Sequence, residues 1–338
     1  MCNMYPQYKH IWDAREAVKS RIEETRAQRL LEGCTKQNTL PVPLKYYAAH
    51  TGRFGGSEKI NLQNLPRGSK LRNALQAGPG EMLYVADLSN IEARMLAWLA
   101  KEQDLLDAFA AGEDVYSNFA SQIYNRPITK DDKLERYVGK TAILGLGYGM
   151  GANKYKAVLA QGSPAIDVTQ STALGIVSQY RAMYPNIPQL WSIGKQLLFY
   201  MLDRTDQSYS YGPLSVASNA LKLPNEMYLQ YPHLRYNNGE FVYDSGRTGI
   251  TRTHGPRLVE NIIQALSRIV ITDQMLAIQK LSEVDVVLTV HDEIIAIGSD
   301  INATSTLSKI MTIMKTPPDW CTELPLDAEG AYSKIYDK

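Results

Sequence analysis

Acids stand between two apolar, β-branched runs in Thr289-Val290-His291-Asp292-Glu293-Ile294-Ile295, with Val284 to Val290 on one side and Ile294 to Ile297 on the other. So short an interval allows only a tight reversal, so the spacing predicts a hairpin with His291, Asp292 and Glu293 at its tip. Carboxylates at the end of buried strands are costly unless a cation, usually a metal, offsets them. An Asp-Glu pair in a turn is, by itself, more often a solvated turn. A second acid in the same setting changes that balance. Glu81-Met82-Leu83-Tyr84-Val85-Ala86-Asp87 reads as a strand ending on an acid, and helical spacing from Leu88 to Leu99 follows at once. Asp87 and Asp292 could together hold two divalent cations through oxygen ligands. The competing reading makes Asp87 the N-cap of the helix.

A third stretch, Leu134 to Gly151, carries Arg136, Lys140, Leu144 and Tyr148 at intervals of four. If helical throughout, it presents two cations, an apolar residue and an aromatic one along one stripe, which suits a nucleoside triphosphate with its phosphates at the cationic end. Five glycines between 139 and 151 oppose that helix, each by about 1 kcal/mol relative to Ala. They make sense where an element moves or lies close against a ligand. The glycine spacing of a phosphate-cradling loop is absent, which disfavours an ordinary NTPase. A polar loop follows Thr51-Gly52-Arg53 and runs on to Asn61-Leu62-Gln63-Asn64. Its uncharged amides suit the sugar and base edges of a nucleic-acid groove, or equally the loop's own backbone.

These stations must be positioned by a body of ordinary composition. The 338 residues are 44% hydrophobic and 21% charged with a formal net charge of +1, so nucleic-acid binding has to rest on local clusters. Three scattered cysteines, Cys2, Cys34 and Cys321, speak against a zinc site or a disulfide framework and for a reducing compartment. No signal pattern opens the chain and no apolar run is long enough to span a bilayer, which excludes a membrane partner at this level. Residues 11–31 read as an amphipathic helix packed by one edge and ending at Gly33. Helices interrupted at Pro185 and Pro188 fill 163–200, and short strands rich in Tyr, Gly and Asn fill 205–250. The tyrosines there fit cross-strand packing better than base stacking. A long amphipathic helix from Arg257 to about Leu281 leads into the hairpin.

In this order the motifs resemble the polymerase module of family A DNA polymerases, in particular phage members. Asp87-Leu88-Ser89-Asn90-Ile91-Glu92-Ala93-Arg94 is similar to the first palm motif, Arg136, Lys140, Tyr148 and Gly149 to the fingers helix, and Val290-His291-Asp292-Glu293 to the last palm motif. Thr51-Gly52-Arg53 and Asn61 to Asn64 resemble a primer-template segment. The resemblance implies an α+β right hand with an antiparallel-sheet palm, helical fingers and a truncated thumb. Its divisions would be 1–50 residual thumb, 51–100 first palm segment, 101–200 fingers and 201–338 second palm segment. It implies template-directed addition of dNTPs to a primer 3′ end with two Mg²⁺ ions, for which Mn²⁺ could substitute. Asp87, Asp292 and the carbonyl of Leu88 would ligate the metals, with Glu293 an accessory catalytic acid. Arg136, Lys140, Leu144, Tyr148, Asn90 and Tyr116 would hold the nucleotide, and Glu92 would close the space of a ribose 2′-hydroxyl. Arg53, Asn61, Asn64, Gln264 and His291 would hold primer-template DNA.

Some residues depart from the family's pattern. Leu144 stands where an aromatic residue is usual, Tyr116 where a phosphate-binding His is common, Leu88 where Tyr is usual and Asn90 where Gln is. Only about fifty residues precede the Thr51 loop, so the expectation is a polymerase without its own 3′–5′ exonuclease, acting in phage replication in a bacterial host cytoplasm, with a second chain supplying thumb and proofreading. A catalytically silent nucleic-acid-binding subunit and a single-subunit RNA polymerase or primase relative are the alternatives; retention of both aspartates argues against the first and Glu92 against the second.

Overall fold

The structure is a computed structural model, and it describes residues 6–202, 209–246 and 249–337. The opening residues 1–5, with Cys2, and positions 203–208 and 247–248 of the expected strand region lie outside the described residues.

Four antiparallel strands form the sheet that carries the acids, in the order Val284–Val290, Glu293–Ser299, Glu81–Leu88, Ala328–Ser333. Side chains alternate between the two faces of a strand, and here both faces are covered. Tyr84, Ala86, Leu88, Ile294 and Ala296 enter the main core with the Gly255–Gln279 and Ala303–Lys315 helices. Leu83, Val85, Leu288 and Ile295 enter a smaller core with Leu62, Leu65 and Tyr336. Runs of Val, Ile and Leu are what a sheet buried on both faces requires.

The Glu81–Leu88 strand passes through a short turn into the Ile91–Ala100 helix, which is buried along most of its length. Helices Gln103–Ala110, Val115–Tyr124, Lys133–Leu146, Ala152–Gln161, Gln170–Met183 and Asn186–Leu202 follow, and the last packs on the Gly255–Gln279 helix. Residues 209–253 make two small antiparallel sheets. Their aromatics pack on one another and on the preceding helix: Tyr231 and Tyr243 meet edge to face at 4.9 Å, and Phe241 meets Phe199 of the Asn186–Leu202 helix at 4.7 Å.

The mixed α+β architecture is the one expected, and two local expectations are corrected. The stripe of the Lys133–Leu146 helix stops before Tyr148, which lies in the turn beyond it. Gly149 there has φ +76°, and a Cβ on it would come within 2.7 Å of Pro256, so glycine both ends the helix and lets the turn touch the next element. The first helix, Lys9–Gly33, is as long as expected but leaves Ile11, Val18 and Ile22 exposed, while Leu30 near its end packs against the smaller core. Among the described residues no helix is long and apolar enough to cross a membrane, and Cys34 and Cys321 are free.

Candidate active site

The hairpin closes through His291 and Asp292 alone, since Val290 already pairs with Glu293. His291 adopts φ +55°, the left-handed conformation that a two-residue reversal demands. Across the next ladder Glu293 faces Asp87, and the amide of Leu88 donates to the carbonyl of Asp292 at 3.0 Å. Asp87 and Asp292 thereby come from remote segments to one end of the sheet. Asp87 is no helix cap: its strand runs on to Leu88, and the cap position falls to Asn90, at φ +56° with no side-chain capping bond.

The carboxyl of Asp292 is raised above the ordinary carboxylate range, by burial first and then by the charge of Asp87, with Glu92 adding to the rise and Arg53 opposing it. A half-buried carboxylate whose ionisation a second acid opposes is a site a divalent cation stabilises. Among the described residues no group of three or more acidic, His or Cys side chains converges as a metal cage. Two carboxylates with main-chain oxygen nearby are a donor set that fits Mg²⁺, an ion that keeps water and substrate oxygens in its shell.

Glu293 is placed differently. It is 4% exposed, accepts from Arg72 Nη2 at 3.2 Å and from the hydroxyl of Tyr336, and the Arg72 guanidinium lies 3.8 Å from the centroid of the Tyr336 ring. Burial, then the Glu293 carboxylate, pushes the Tyr336 phenol far up, so it stays a donor. A buried carboxylate needs such partners. In this geometry the Glu293 carboxylate is held by Arg72 and Tyr336 while its backbone pairs with Asp87.

Beside the acids, Glu92 pairs with Arg53. Tyr148 is half-buried, and its phenol is raised well above the ordinary range by burial and by the charge of Glu92, while Arg53 opposes the rise. The hydroxyl of Thr51 approaches Gln264 Oε1 at 3.4 Å, and a small cavity is lined by Arg53, Gln63, Arg268, Thr289 and His291 among others. Gln63 Nε2 donates to the carbonyl of Thr289 at 2.9 Å, fastening the amide loop to the hairpin. Asn61 accepts from the amide of Gln63 at 3.1 Å, so its carboxamide oxygen holds its own loop, while Asn64 is exposed.

A second group stands on the Val115–Tyr124 and Lys133–Leu146 helices, which meet closely at Gly139. A Cβ there would lie 2.2 Å from the carbonyl of Tyr116. Arg136 grips Asp114 with two bonds, Nε to Oδ2 at 2.6 Å and Nη2 to Oδ1 at 3.2 Å. Burial pushes Asp114 up, but bonds from Arg136 and Ser117 bring it below the ordinary range. The Tyr116 ring lies 5.3 Å from the Arg136 guanidinium and 6.0 Å from Lys140 Nζ, and its hydroxyl donates to Asn90 Oδ1 at 2.5 Å. Lys140 is exposed and Leu144 is 42% exposed, so both face outward as the spacing requires.

With this geometry in view, comparison with known proteins is decisive. The family model described as DNA polymerase family A matches residues 2–196. The chain belongs to DNA polymerase family A. It is 28% identical to the DNA polymerase of Bacillus phage SP02 over 87% of its own length and 52% of the phage protein's. It is 32% identical to the thermostable DNA polymerase I of Thermus thermophilus over 41% of its length and 16% of that protein's. Its fold superposes with a TM-score of 0.74 on the POL domain of Pol1 from M. smegmatis, solved with DNA primer-template and dNTP, at 21% identity, covering 98% of this chain and 53% of that one. The chain thus spans about half the length of the phage polymerase and of the solved chain.

Three residues of the candidate site carry no signal in the sequence pattern, Arg72, Tyr336 and Asp114, and Arg94 enters only as the end of the motif that begins at Asp87. Arg94 is buried and ties the site's turn to two other segments, through Ser89 O at 2.8 Å, Pro325 O at 2.7 Å and Phe109 O at 3.3 Å. Its charge in the middle of an apolar helix marks it as a buried group that needs such partners.

Proposed function

We propose that this chain carries out template-directed DNA synthesis, joining dNTPs to a primer 3′ end. The observation that carries the reading is the convergence of Asp87 and Asp292 at one end of the sheet, where the Asp87 charge opposes the ionisation of Asp292. Membership of family A supports it, as does the solved relative's complex with primer-template and dNTP.

In this reading Asp87, Asp292 and the Leu88 carbonyl would hold two Mg²⁺ ions. Bound there, Mg²⁺ supplies a lowered pKa for the primer 3′-hydroxyl and offsets charge on the triphosphate and the departing pyrophosphate. Arg136 and Lys140 meet the phosphates with preorganised positive charge. Glu92, held by Arg53, occupies the space under the sugar and excludes a 2′-hydroxyl, while Tyr148 backs it. Arg53, Gln264, His291, Asn61 and Asn64 line the path of primer and template, making contacts that position the duplex without reading its sequence. The sheet with residues 51–100 and 201–338 is the palm of this reading, residues 101–200 are the fingers, and the first fifty residues belong to the thumb side. The reading sets this activity within phage DNA replication in a host cell, and the similarity to the Bacillus phage SP02 polymerase supports it.

The test is primer extension with Mg²⁺, with dNTPs and rNTPs compared and Asp292→Asn as control. Extension with dNTPs that Asp292→Asn abolishes, with DNA binding retained, is the expected result. DNA binding without extension would leave a silent binding subunit, and equal use of rNTPs would point to an RNA polymerase or primase relative.

A further inference from the structure

Tyr116 presents no free hydroxyl to a phosphate. Its side chain is enclosed, at 6% exposure, and its hydroxyl is committed to Asn90 Oδ1 at 2.5 Å. Its ring supports two cations, with Arg136 at 5.3 Å and Lys140 at 6.0 Å. The backbone under it is fixed by the close approach of the Gly139 helix, where no Cβ fits. Asn90 in turn spends its side-chain oxygen on Tyr116 instead of capping the Ile91–Ala100 helix, though it occupies the cap position. Two residues further on that helix bears Glu92, clasped by Arg53. One tyrosine therefore touches the cationic stripe with its face and the turn that sets Glu92 with its edge.

We propose that Tyr116 is a positioning residue that couples the cation stripe to the sugar gate: its ring fixes Arg136 and Lys140, and its bond to Asn90 fixes the first turn of the helix bearing Glu92. The inference rests on the polymerase reading above and assigns separate tasks to the two ends of one side chain. Removing the hydroxyl should loosen Glu92 and relax sugar discrimination while leaving the ring, and with it phosphate binding, in place. Removing the ring should weaken dNTP binding as well.

The experiment compares the parent protein with Tyr116→Phe, Asn90→Gly and the double variant in single-nucleotide primer extension, reading kcat and KM for a dNTP and for the matching rNTP. Glycine suits position 90 because it accepts the left-handed backbone. Tyr116→Phe should lower the dNTP-over-rNTP ratio of kcat/KM by roughly three- to ten-fold, the scale of one neutral hydrogen bond. Its dNTP KM should move less than that ratio. Asn90→Gly should do the same, and the double variant should add nothing further, because both changes delete one interaction. Tyr116→Leu should raise the dNTP KM on top of the lost selectivity. An unchanged ratio in Tyr116→Phe, equal rises in KM for both nucleotides, or additive effects in the double variant would overturn the coupling. The parent's own activity separates the two readings: extension by the parent with no selectivity change in the variants refutes the coupling alone, whereas a parent that binds DNA and extends nothing refutes the polymerase reading.

Discussion

Replacing Asp292 with Asn should stabilise the metal-free protein while destroying its activity, and the two effects together test the metal site. The raised carboxyl of Asp292 sets the sign. A folded-state pKa above the unfolded value gives stability that is fully present below the unfolded pKa and is lost as pH rises through the folded one. At neutral pH and without metal, the ionised Asp292 therefore works against the fold. Asp292 precedes the strand partner of Asp87, and adjoining backbone positions of that kind put the two charges on the order of 6 Å apart. At an effective dielectric between that of a protein surface and that of water, their repulsion is about 1–3 kcal/mol. Asn has the same shape without the charge, so Asp292→Asn should raise the Tm in EDTA at pH 7 by a few degrees. The gap between variant and parent should narrow as the pH falls towards 4. Mg²⁺ should raise the parent's Tm by mass action and leave the variant nearly unmoved. Nucleotide incorporation should drop on the order of a thousand-fold or more. Differential scanning fluorimetry with and without Mg²⁺ across this pH range decides the matter: a variant no more stable than the parent in EDTA, or one that responds equally to Mg²⁺, would refute the carboxylate-pair argument.

Three further outcomes follow from other parts of the site. Arg72→Met leaves the Glu293 carboxylate buried without its cation and should cost about 3–5 kcal/mol in urea unfolding, with Tyr336→Phe costing less; near-zero loss for Arg72→Met would show that Glu293 is not held there. Glu92→Ala releases Arg53 and empties the space under the sugar, so rNTP incorporation relative to dNTP should rise at least roughly ten-fold in primer extension, and an unchanged ratio would remove the gate. Gly139→Ala puts a methyl against the carbonyl of Tyr116 and should destabilise by about 1–3 kcal/mol in thermal melts; a neutral result would mean that the two helices separate freely.

Three strands of the acid-bearing sheet were legible because continuous β-branched and apolar runs bounded by turn signals leave little choice of structure, and the strands that end in acids announced themselves by the cost of charge beside apolar neighbours, whereas Ala328–Ser333 carries no such run. The stripe from Arg136 to Leu144 was legible for the same reason, since four-residue spacing on a helix has one geometric meaning. Tyr148 was misplaced because spacing alone does not show where glycines end a helix. The grip of Asp114 on Arg136 and the cluster of Arg72, Glu293 and Tyr336 left no trace in local pattern: a buried charge finds its partner across the fold, and no periodicity records which one. The exposed Ile11, Val18 and Ile22 make the converse point, since an apolar stripe on a helix does not by itself bring anything to cover it.

The strand bearing Asp87 lies inside its sheet, and both of its neighbours, Glu293–Ser299 and Ala328–Ser333, come from much later in the chain. During synthesis the helices that follow Asp87 can begin to pack while this strand still has two open edges. Pairings over such distances in sequence close slowly, after local structure. A nascent chain halted anywhere before the hairpin presents Asp87 without Asp292, so the proposed cation site has no partial form. On the polymerase reading, binding of the metal would itself report that residues more than half the chain apart have found each other.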